Sequence, residues 1–147
     1  MNRILFLCTG NYYRSRFAEI LFNYLAREAG LDWHADSCGL NVKPVGVVNS
    51  GPISIFATAA LDRRGIPMPD MRVPRQVCEA DLRDAKMIVA LKEAEHRKLM
   101  ESLHPEWAAR TTYWHIHDLD MAHPGEALAE LECLIKELID RLRAANP

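Results

Sequence analysis

The chain contains 147 residues, of which 49% are hydrophobic and 26% are charged. This balance is typical of a folded globular protein and excludes a disordered chain. The formal net charge of −2 gives no general attraction to nucleic acid or to an acidic membrane surface, so neither is expected as a partner. The length predicts a single domain over residues 1–147.

The same sequence carries no sign of export or of a metal centre. No stretch of about 18 apolar residues could span a bilayer, and the apolar run at residues 4–7 is too short for a secretory signal. The cytoplasm is therefore the expected compartment. The spacing of the four cysteines matches neither metal ligands nor a disulfide framework, so no metal or other cofactor is expected. They are Cys8, Cys38, Cys78 and Cys133.

The chain begins with a predicted strand that ends at a cysteine. Residues 3–7 are mostly apolar, which is typical of a strand buried on both faces. A tight turn that contains Gly10 and Asn11 follows Cys8. Beyond it, apolar residues recur at helical spacing as far as Gly30, a natural helix stop. They are Phe17, Ile20, Leu21, Tyr24 and Leu25.

The turn between this strand and this helix is suited to binding an oxyanion. Its backbone N–H groups can form a concave nest, and the helix N-terminus adds positive potential. Arg14 offers a planar, two-pronged donor to phosphate oxygens. The same field favours the thiolate of Cys8. Ser15 can donate a hydrogen bond to that sulfur, and Asn11 tolerates a left-handed turn conformation. The pattern indicates a nucleophilic cysteine at the floor of a phosphate site.

The remaining elements alternate between strands and helices. Further strands are predicted at residues 33–37, 87–91 and 112–116, and helices at residues 52–64, 92–103 and 124–143. A short helical turn is predicted to begin at Asp81. Such alternation implies a parallel sheet covered on both faces. His96 lies among charged residues in its helix, which favours a solvated face.

Ligands of such sheets bind beyond the carboxyl ends of the strands. Cys8 follows the first predicted strand, and the turn at residues 117–120 follows the last. This turn contains Asp118 and Asp120. The two regions are therefore expected to meet in one pocket, although aspartates are also common turn residues.

The segment from Cys8 to Ser15 resembles the phosphate-binding loop of the low-molecular-weight protein tyrosine phosphatase family. The family pattern is roughly Cys-x-Gly-Asn-x-Cys-Arg-Ser-Pro. The matching residues are Cys8, Gly10, Asn11, Arg14 and Ser15. Tyr13 stands in place of the second cysteine, and Arg16 in place of the proline. The expected fold is an α/β three-layer sandwich with a four-stranded parallel sheet in the order 2-1-3-4 and helices on both faces.

The resemblance implies a cysteine-dependent phosphatase that hydrolyses phosphomonoesters through a cysteinyl-phosphate. Protein phosphotyrosine is the expected substrate. Cys8 would be the nucleophile and Asp118 the general acid, with Asp120 as the alternative because the family's Asp-Pro pair is missing here. The residues expected to hold the phosphate are Thr9, Gly10, Asn11, Tyr12, Tyr13, Arg14 and Ser15. Expected partners are a phosphorylated protein or a small phosphomonoester, with inorganic phosphate, sulfate or vanadate as loop ligands.

The resemblance also assigns supporting roles. Ser37 resembles a serine that supports the loop through Asn11, although it could equally satisfy its own backbone. Arg75 is interpreted as a structural or rim charge. By family correspondence, Tyr12 occupies the position that helps to select the leaving group. Residues 40–48 contain no aromatic side chain, whereas the family often presents one there to the substrate ring.

Three alternatives to a tyrosine phosphatase remain at this stage. An arsenate reductase on the same scaffold would need resolving cysteines, and Cys78 alone lies in the relevant region. A phosphate- or phosphoprotein-binding module would keep the loop without turnover. A phosphoarginine phosphatase is disfavoured, because the threonine which that branch uses after Asn11 is Tyr12 here.

Overall fold

The computed structural model describes residues 1–43, 51–69, 71–119 and 121–145. Within these residues four strands form one parallel sheet in the order β2-β1-β3-β4. The strands are β1 (Asn2–Cys8), β2 (Trp33–Gly39), β3 (Met87–Ala90) and β4 (Thr112–Tyr113). The predicted strand order is confirmed.

Helices cover both faces of this sheet. In the described residues they are α1 (Arg14–Glu28), α2 (Ile55–Arg63), α3 (Glu79–Asp84), α4 (Glu93–Leu103), α5 (Pro105–Ala108) and α6 (Pro124–Ala145). Ile4 and Phe6 of β1 belong to one core, which also contains residues of α1, α2 and α6. Leu5 and Leu7 belong to a second core with residues of α3, α4 and α5. Burial of both faces explains the continuous apolar run in β1.

Several elements differ in their bounds from the sequence-based prediction, and α3 begins at Glu79 rather than at Asp81. Helix α2 begins at Ile55 rather than at residue 52, because Ser54 caps it by accepting a hydrogen bond from the Phe56 N–H at 3.2 Å. Strand β4 ends at Tyr113 rather than at residue 116, because its partner β3 gives way to α4. The Ile116 N–H still donates to the Leu91 carbonyl at 2.7 Å. The short helix α5 was not predicted.

The carboxyl ends of three strands gather at one edge of the sheet. Cys8 pairs with Gly39 of β2, and Leu7 pairs with Ala90 of β3. Beyond β4, the Trp114 N–H donates to the Ala90 carbonyl at 2.9 Å. The loops that follow β1, β3 and β4 therefore lie together at the edge where parallel sheets bind ligands. None of the helices in the described residues combines the length and the apolar character needed to cross a bilayer.

A substitution at Phe22 tests the core that packs against α1. Its side chain is fully buried, and its ring lies edge-on to Phe6 with the centroids 5.9 Å apart. We expect Phe22→Ala to lower the free energy of unfolding by about 3–5 kcal/mol, because it leaves a cavity. Urea denaturation measures this loss. The matched control Phe56→Ala removes a ring that is 44% exposed and should cost less than about 1 kcal/mol. Equal losses would contradict the assignment of the core.

Candidate active site

The segment between β1 and α1 forms a tight loop around the Cys8 sulfur. Asn11 has a φ of 51°, the left-handed conformation that asparagine tolerates better than most residues. The end of β2 approaches this loop closely at Gly39. A Cβ atom at Gly39 would lie 2.8 Å from the Thr9 carbonyl oxygen and 3.1 Å from the Asn11 nitrogen. The loop therefore depends on a glycine in β2 as well as on its own residues.

The Cys8 sulfur has two hydrogen-bonding partners. The Asn11 N–H donates to Sγ at 3.2 Å, and the Ser15 hydroxyl lies 2.9 Å from Sγ. Ser15 Oγ accepts a hydrogen bond from the Asn11 amide at 2.8 Å, and its own hydrogen can point to the sulfur. The nearly buried sulfur therefore faces two groups that can donate to it.

The side chain of Asn11 connects the loop to its surroundings. Its amide donates to Ser15 Oγ and to Ser37 Oγ, the latter at 2.9 Å. Its oxygen accepts from the Arg72 guanidinium at 2.9 Å and from the Arg75 N–H at 3.0 Å. All four hydrogen-bonding positions of this buried amide are thus occupied. The contact between Ser37 and Asn11 is the one that the sequence predicts, and its role in catalysis stays a prediction.

A partly buried charge cluster of Arg16, Glu19 and Arg72 lies behind the loop, and sequence reasoning did not identify it. The Arg72 guanidinium donates to Glu19 at 3.0 Å and to both oxygens of Ser37 at 2.9 Å. Arg16, at the proline position of the family pattern, is fully buried. It donates to the Arg72 carbonyl at 2.8 Å, and its Nε lies 3.7 Å from Glu19. The pairing of Glu19 with these arginines joins the segment around Arg72 to α1.

Arg14 is 2% exposed, and the two terminal nitrogens of its guanidinium donate to three residues within the protein. Nη1 and Nη2 donate to the two carboxylate oxygens of Glu95, at 3.4 and 3.2 Å. Nη1 also donates to the Ile116 carbonyl at 3.1 Å, and Nη2 to Asp118 at 3.4 Å. Burial alone would lower the pKa of Arg14, but the Cys8 sulfur and Glu95 raise it above its usual value. Arg14 therefore remains cationic.

Asp118 lies at the same edge of the sheet as Cys8 and Arg14, as the sequence predicts. Its Oδ1 accepts a hydrogen bond from the Leu119 N–H at 2.9 Å, and its Oδ2 accepts from Arg14. Its side chain is 44% exposed. One oxygen therefore stabilises the turn while the other contacts Arg14. Asp120, the alternative acid, lies outside the described residues.

The predicted solvated face around His96 is wrong. His96 is fully buried, because the first turn of α4 packs against the loop. Its Nδ1 accepts a hydrogen bond from the Lys92 N–H at 3.0 Å, and its Nε2 lies 3.1 Å from Thr9 Oγ1. The Thr9 hydroxyl donates to Glu95. The sequence signal that could have suggested this arrangement is the position of Glu95 and His96 directly after β3, at the ligand-binding edge.

The two tyrosines of the loop have different surroundings. Tyr13 is 4% exposed and packs in the core beneath the loop. Its burial, together with Asp118, raises its pKa to about 12. Tyr12 is partly buried, and its carbonyl accepts a hydrogen bond from the Ser54 N–H at 2.9 Å. This bond places the exposed Ile55 and Phe56 of α2 beside the loop.

Cys78 lies beside Cys38 rather than in the loop. The sulfurs of Cys78 and Cys38 donate to the same oxygen of Asp81, at 3.2 and 3.6 Å. Burial raises the pKa of Cys38 to about 12. Arg75 also pairs with Asp81, at 2.8 Å, as a structural or rim charge would. Cys78 therefore contacts Asp81 of α3, and all four cysteines are free thiols.

No group of three or more His, Cys, Asp or Glu side chains in the described ranges is arranged to hold a metal ion. Residues 40–48 contain no aromatic side chain, and from residue 44 onward this stretch lies outside the described residues.

The contribution of the charge cluster around Arg72 to the free energy of unfolding can be measured. We expect Arg72→Ala to lower the free energy of unfolding by about 2 kcal/mol or more, because it leaves Asn11 and Glu19 with unmet hydrogen bonds. Urea denaturation measures this loss. Arg83 pairs only loosely with Asp84, at 3.9 Å, and is 65% exposed, so the control Arg83→Ala should stay within about 0.5 kcal/mol of the wild type. If Arg72→Ala lowers the free energy of unfolding no more than the control does, Arg72 does not stabilise the protein through Asn11 and Glu19.

The chain is 36% identical over 105 residues to a Bacillus subtilis protein named low molecular weight protein-tyrosine-phosphatase YfkJ, covering 70% of this chain and 64% of that protein. It is 29% identical over 99 residues to a Bacillus subtilis protein-arginine-phosphatase, covering 67% and 61%. The chain thus spans less than two thirds of the length of these curated relatives.

The agreement extends to solved structures and to a whole family. The structure of a low molecular weight protein tyrosine phosphatase from T. tengcongensis superposes with a TM-score of 0.81 at 29% identity, covering 96% of this chain and 99% of that one. The sequence profile described as low molecular weight phosphotyrosine protein phosphatase matches residues 3–144. The chain therefore belongs to the low-molecular-weight phosphotyrosine protein phosphatase family.

Proposed function

We propose that this protein hydrolyses phosphomonoesters through a cysteinyl-phosphate on Cys8. The observation that carries this proposal is the environment of the sulfur, which accepts a hydrogen bond from the Asn11 N–H and lies 2.9 Å from the Ser15 hydroxyl at the floor of the loop. The helix N-terminus and the Arg14 guanidinium adjoin this sulfur, so an anionic phosphate and a nucleophile can meet here. Membership of the phosphatase family supports the same chemistry.

The first step transfers the phosphoryl group to the enzyme. The Cys8 thiolate attacks phosphorus, the bond from phosphorus to the ester oxygen breaks, and Asp118 as its carboxylic acid protonates the leaving oxygen. The backbone N–H groups of the loop and Arg14 hold the other phosphate oxygens. The bound phosphate would take the place of the Asp118 carboxylate on Arg14, which leaves Asp118 beside the leaving group.

The second step returns the enzyme to its starting state. A water molecule attacks phosphorus and gives a proton to the Asp118 carboxylate, while the S–P bond breaks and the thiolate re-forms. The Ser15 hydroxyl donates to the departing sulfur as its negative charge returns. Inorganic phosphate is released. Phosphate, sulfate and vanadate should therefore also bind in the loop as product or analogues.

The mouth of the site favours an aromatic ester such as phosphotyrosine. The bond between Ser54 and Tyr12 brings Ile55 and Phe56 to one side of the loop, and both side chains are exposed. Leu119 follows Asp118 and is also exposed. These apolar side chains can pack against a substrate ring. A phosphorylated protein is the proposed physiological substrate, and the cytoplasm is the proposed compartment, since it keeps the Cys8 thiol reduced.

Hydrolysis of para-nitrophenyl phosphate and phenyl phosphate tests this function. We expect Cys8→Ser to abolish turnover of both, because the thiolate is lost. Asp118→Ala should slow phenyl phosphate by about 10²-fold or more. It should slow para-nitrophenyl phosphate less in the first step, because that leaving group departs without a proton. Asp62→Ala, which removes an exposed aspartate of α2, should leave both rates unchanged.

Other outcomes discriminate between the alternatives. If Asp118→Ala has no effect and Asp120→Ala does, Asp120 is the acid. If phosphate or vanadate binds but the wild type does not turn over, the protein is a binding module and the proposed function is wrong. A phosphotyrosine peptide should be hydrolysed faster than phosphoarginine, and the reverse order would contradict the proposed substrate class.

A further inference from the structure

We propose that Glu95 is a positioning residue that holds the Arg14 guanidinium so that one defined edge faces the phosphate. This inference rests on the proposed phosphatase function. Glu95 lies on α4, distant in sequence from the loop, and reaches Arg14 with both carboxylate oxygens, at 3.4 and 3.2 Å. Such a fork-to-fork pair fixes the plane of the guanidinium as well as its position.

The edges of the guanidinium show why this contact need not compete with phosphate. Glu95 occupies the Nη1–Nη2 edge, and the Ile116 carbonyl accepts the remaining hydrogen of Nη1 at 3.1 Å. The third edge consists of Nε and the second hydrogen of Nη2. Among the described residues, Asp118 alone meets it, at 3.4 Å. Phosphate can therefore bind Arg14 in two-pronged fashion on this edge while Glu95 stays in place.

Glu95 is itself held by the loop. Because His96 Nδ1 accepts the Lys92 N–H, the neutral ring carries its hydrogen on Nε2 and donates it to Thr9 Oγ1. The Thr9 hydroxyl can then donate only to Glu95. Burial lowers the pKa of His96, which keeps the ring neutral. The same Nε2–H of His96, which lies 3.5 Å from Glu95 Oε1, and the hydrogen bonds from Arg14 and Thr9 lower the pKa of Glu95 despite its partial burial.

This chain of hydrogen bonds predicts the direction of the mutational effect. A carboxylate that simply competed with phosphate for Arg14 would weaken phosphate binding, so its removal would improve the enzyme. A carboxylate that positions Arg14 has the opposite effect, because a guanidinium released from Glu95 no longer presents its third edge to the phosphate. The two roles therefore give opposite signs in the same experiment.

The experiment compares Glu95→Ala, Glu95→Gln and the control Glu93→Ala in the intact protein. Glu93 is a carboxylate of the same helical turn that pairs with Arg97 at 2.7 Å instead of with Arg14. We expect Glu95→Ala to lower kcat/KM for para-nitrophenyl phosphate by on the order of tenfold to a hundredfold and to raise the inhibition constant of inorganic phosphate. Glu95→Gln should lie between, because its amide oxygen keeps one acceptor. Glu93→Ala should match the wild type.

Nitrogen-15 NMR of the arginine side chains provides a readout that does not depend on turnover. The Arg14 signal, identified by its loss in Arg14→Lys, should show separate Nη resonances in the wild type because rotation of the guanidinium is restricted. These should merge in Glu95→Ala and persist in Glu93→Ala. Persistence in Glu95→Ala, or tighter phosphate inhibition with a higher kcat/KM, would overturn the inference. An inactive wild type with the expected NMR result would instead refute the proposed function and leave the positioning contact intact.

Discussion

The conformation of the loop depends on Asn11, which places its backbone in the left-handed region and its amide at the centre of a four-way set of hydrogen bonds. The backbone N–H of Asn11 donates to the Cys8 sulfur. Its side chain joins the loop to β2 through Ser37 and to the segment at Arg72 and Arg75. Burial removes the hydrogen bonds that the Asn11 amide would make with water, and each of these contacts compensates for one of them. The loop therefore keeps its conformation only when all partners are present. The sulfur is oriented as a consequence.

The site is also an arrangement of buried charge. Arg14 is almost wholly removed from water and needs anionic partners when no phosphate is bound. Glu95, in the first turn of α4, and Asp118, in the loop after β4, supply them at the same edge of the sheet. In the proposed mechanism Glu95 stays on Arg14, whereas phosphate takes the place of Asp118. The Arg14 cation is therefore paired in the absence of phosphate, and the partner on the edge proposed for phosphate is the one that leaves.

The sequence allowed prediction of features that depend on neighbouring residues. The run before Cys8 predicted β1, and the glycine-asparagine turn followed by a helical pattern predicted the loop and α1, because local propensity and burial agree there. The partners of Arg14 and Asn11 are far away in sequence. The charged residues around His96 and Glu95 led to the prediction of a solvated face, because nothing in the local sequence reveals that α4 packs on the loop. The capped start of α2 at Ser54 was missed although its signal is local, because proline is itself typical of the first turn of a helix and Pro52 predicts an earlier start.

The central claim is that Cys8 carries the phosphoryl group between the two steps. The direct measurement is intact mass spectrometry of Asp118→Ala, acid-quenched during turnover of para-nitrophenyl phosphate. The first step proceeds without the acid, whereas the second lacks its base, so the intermediate should accumulate. We predict one added phosphoryl group, located on Cys8 and absent from Cys8→Ser. Continued hydrolysis with no phosphoryl group on Cys8, or with one on another residue, would contradict the account.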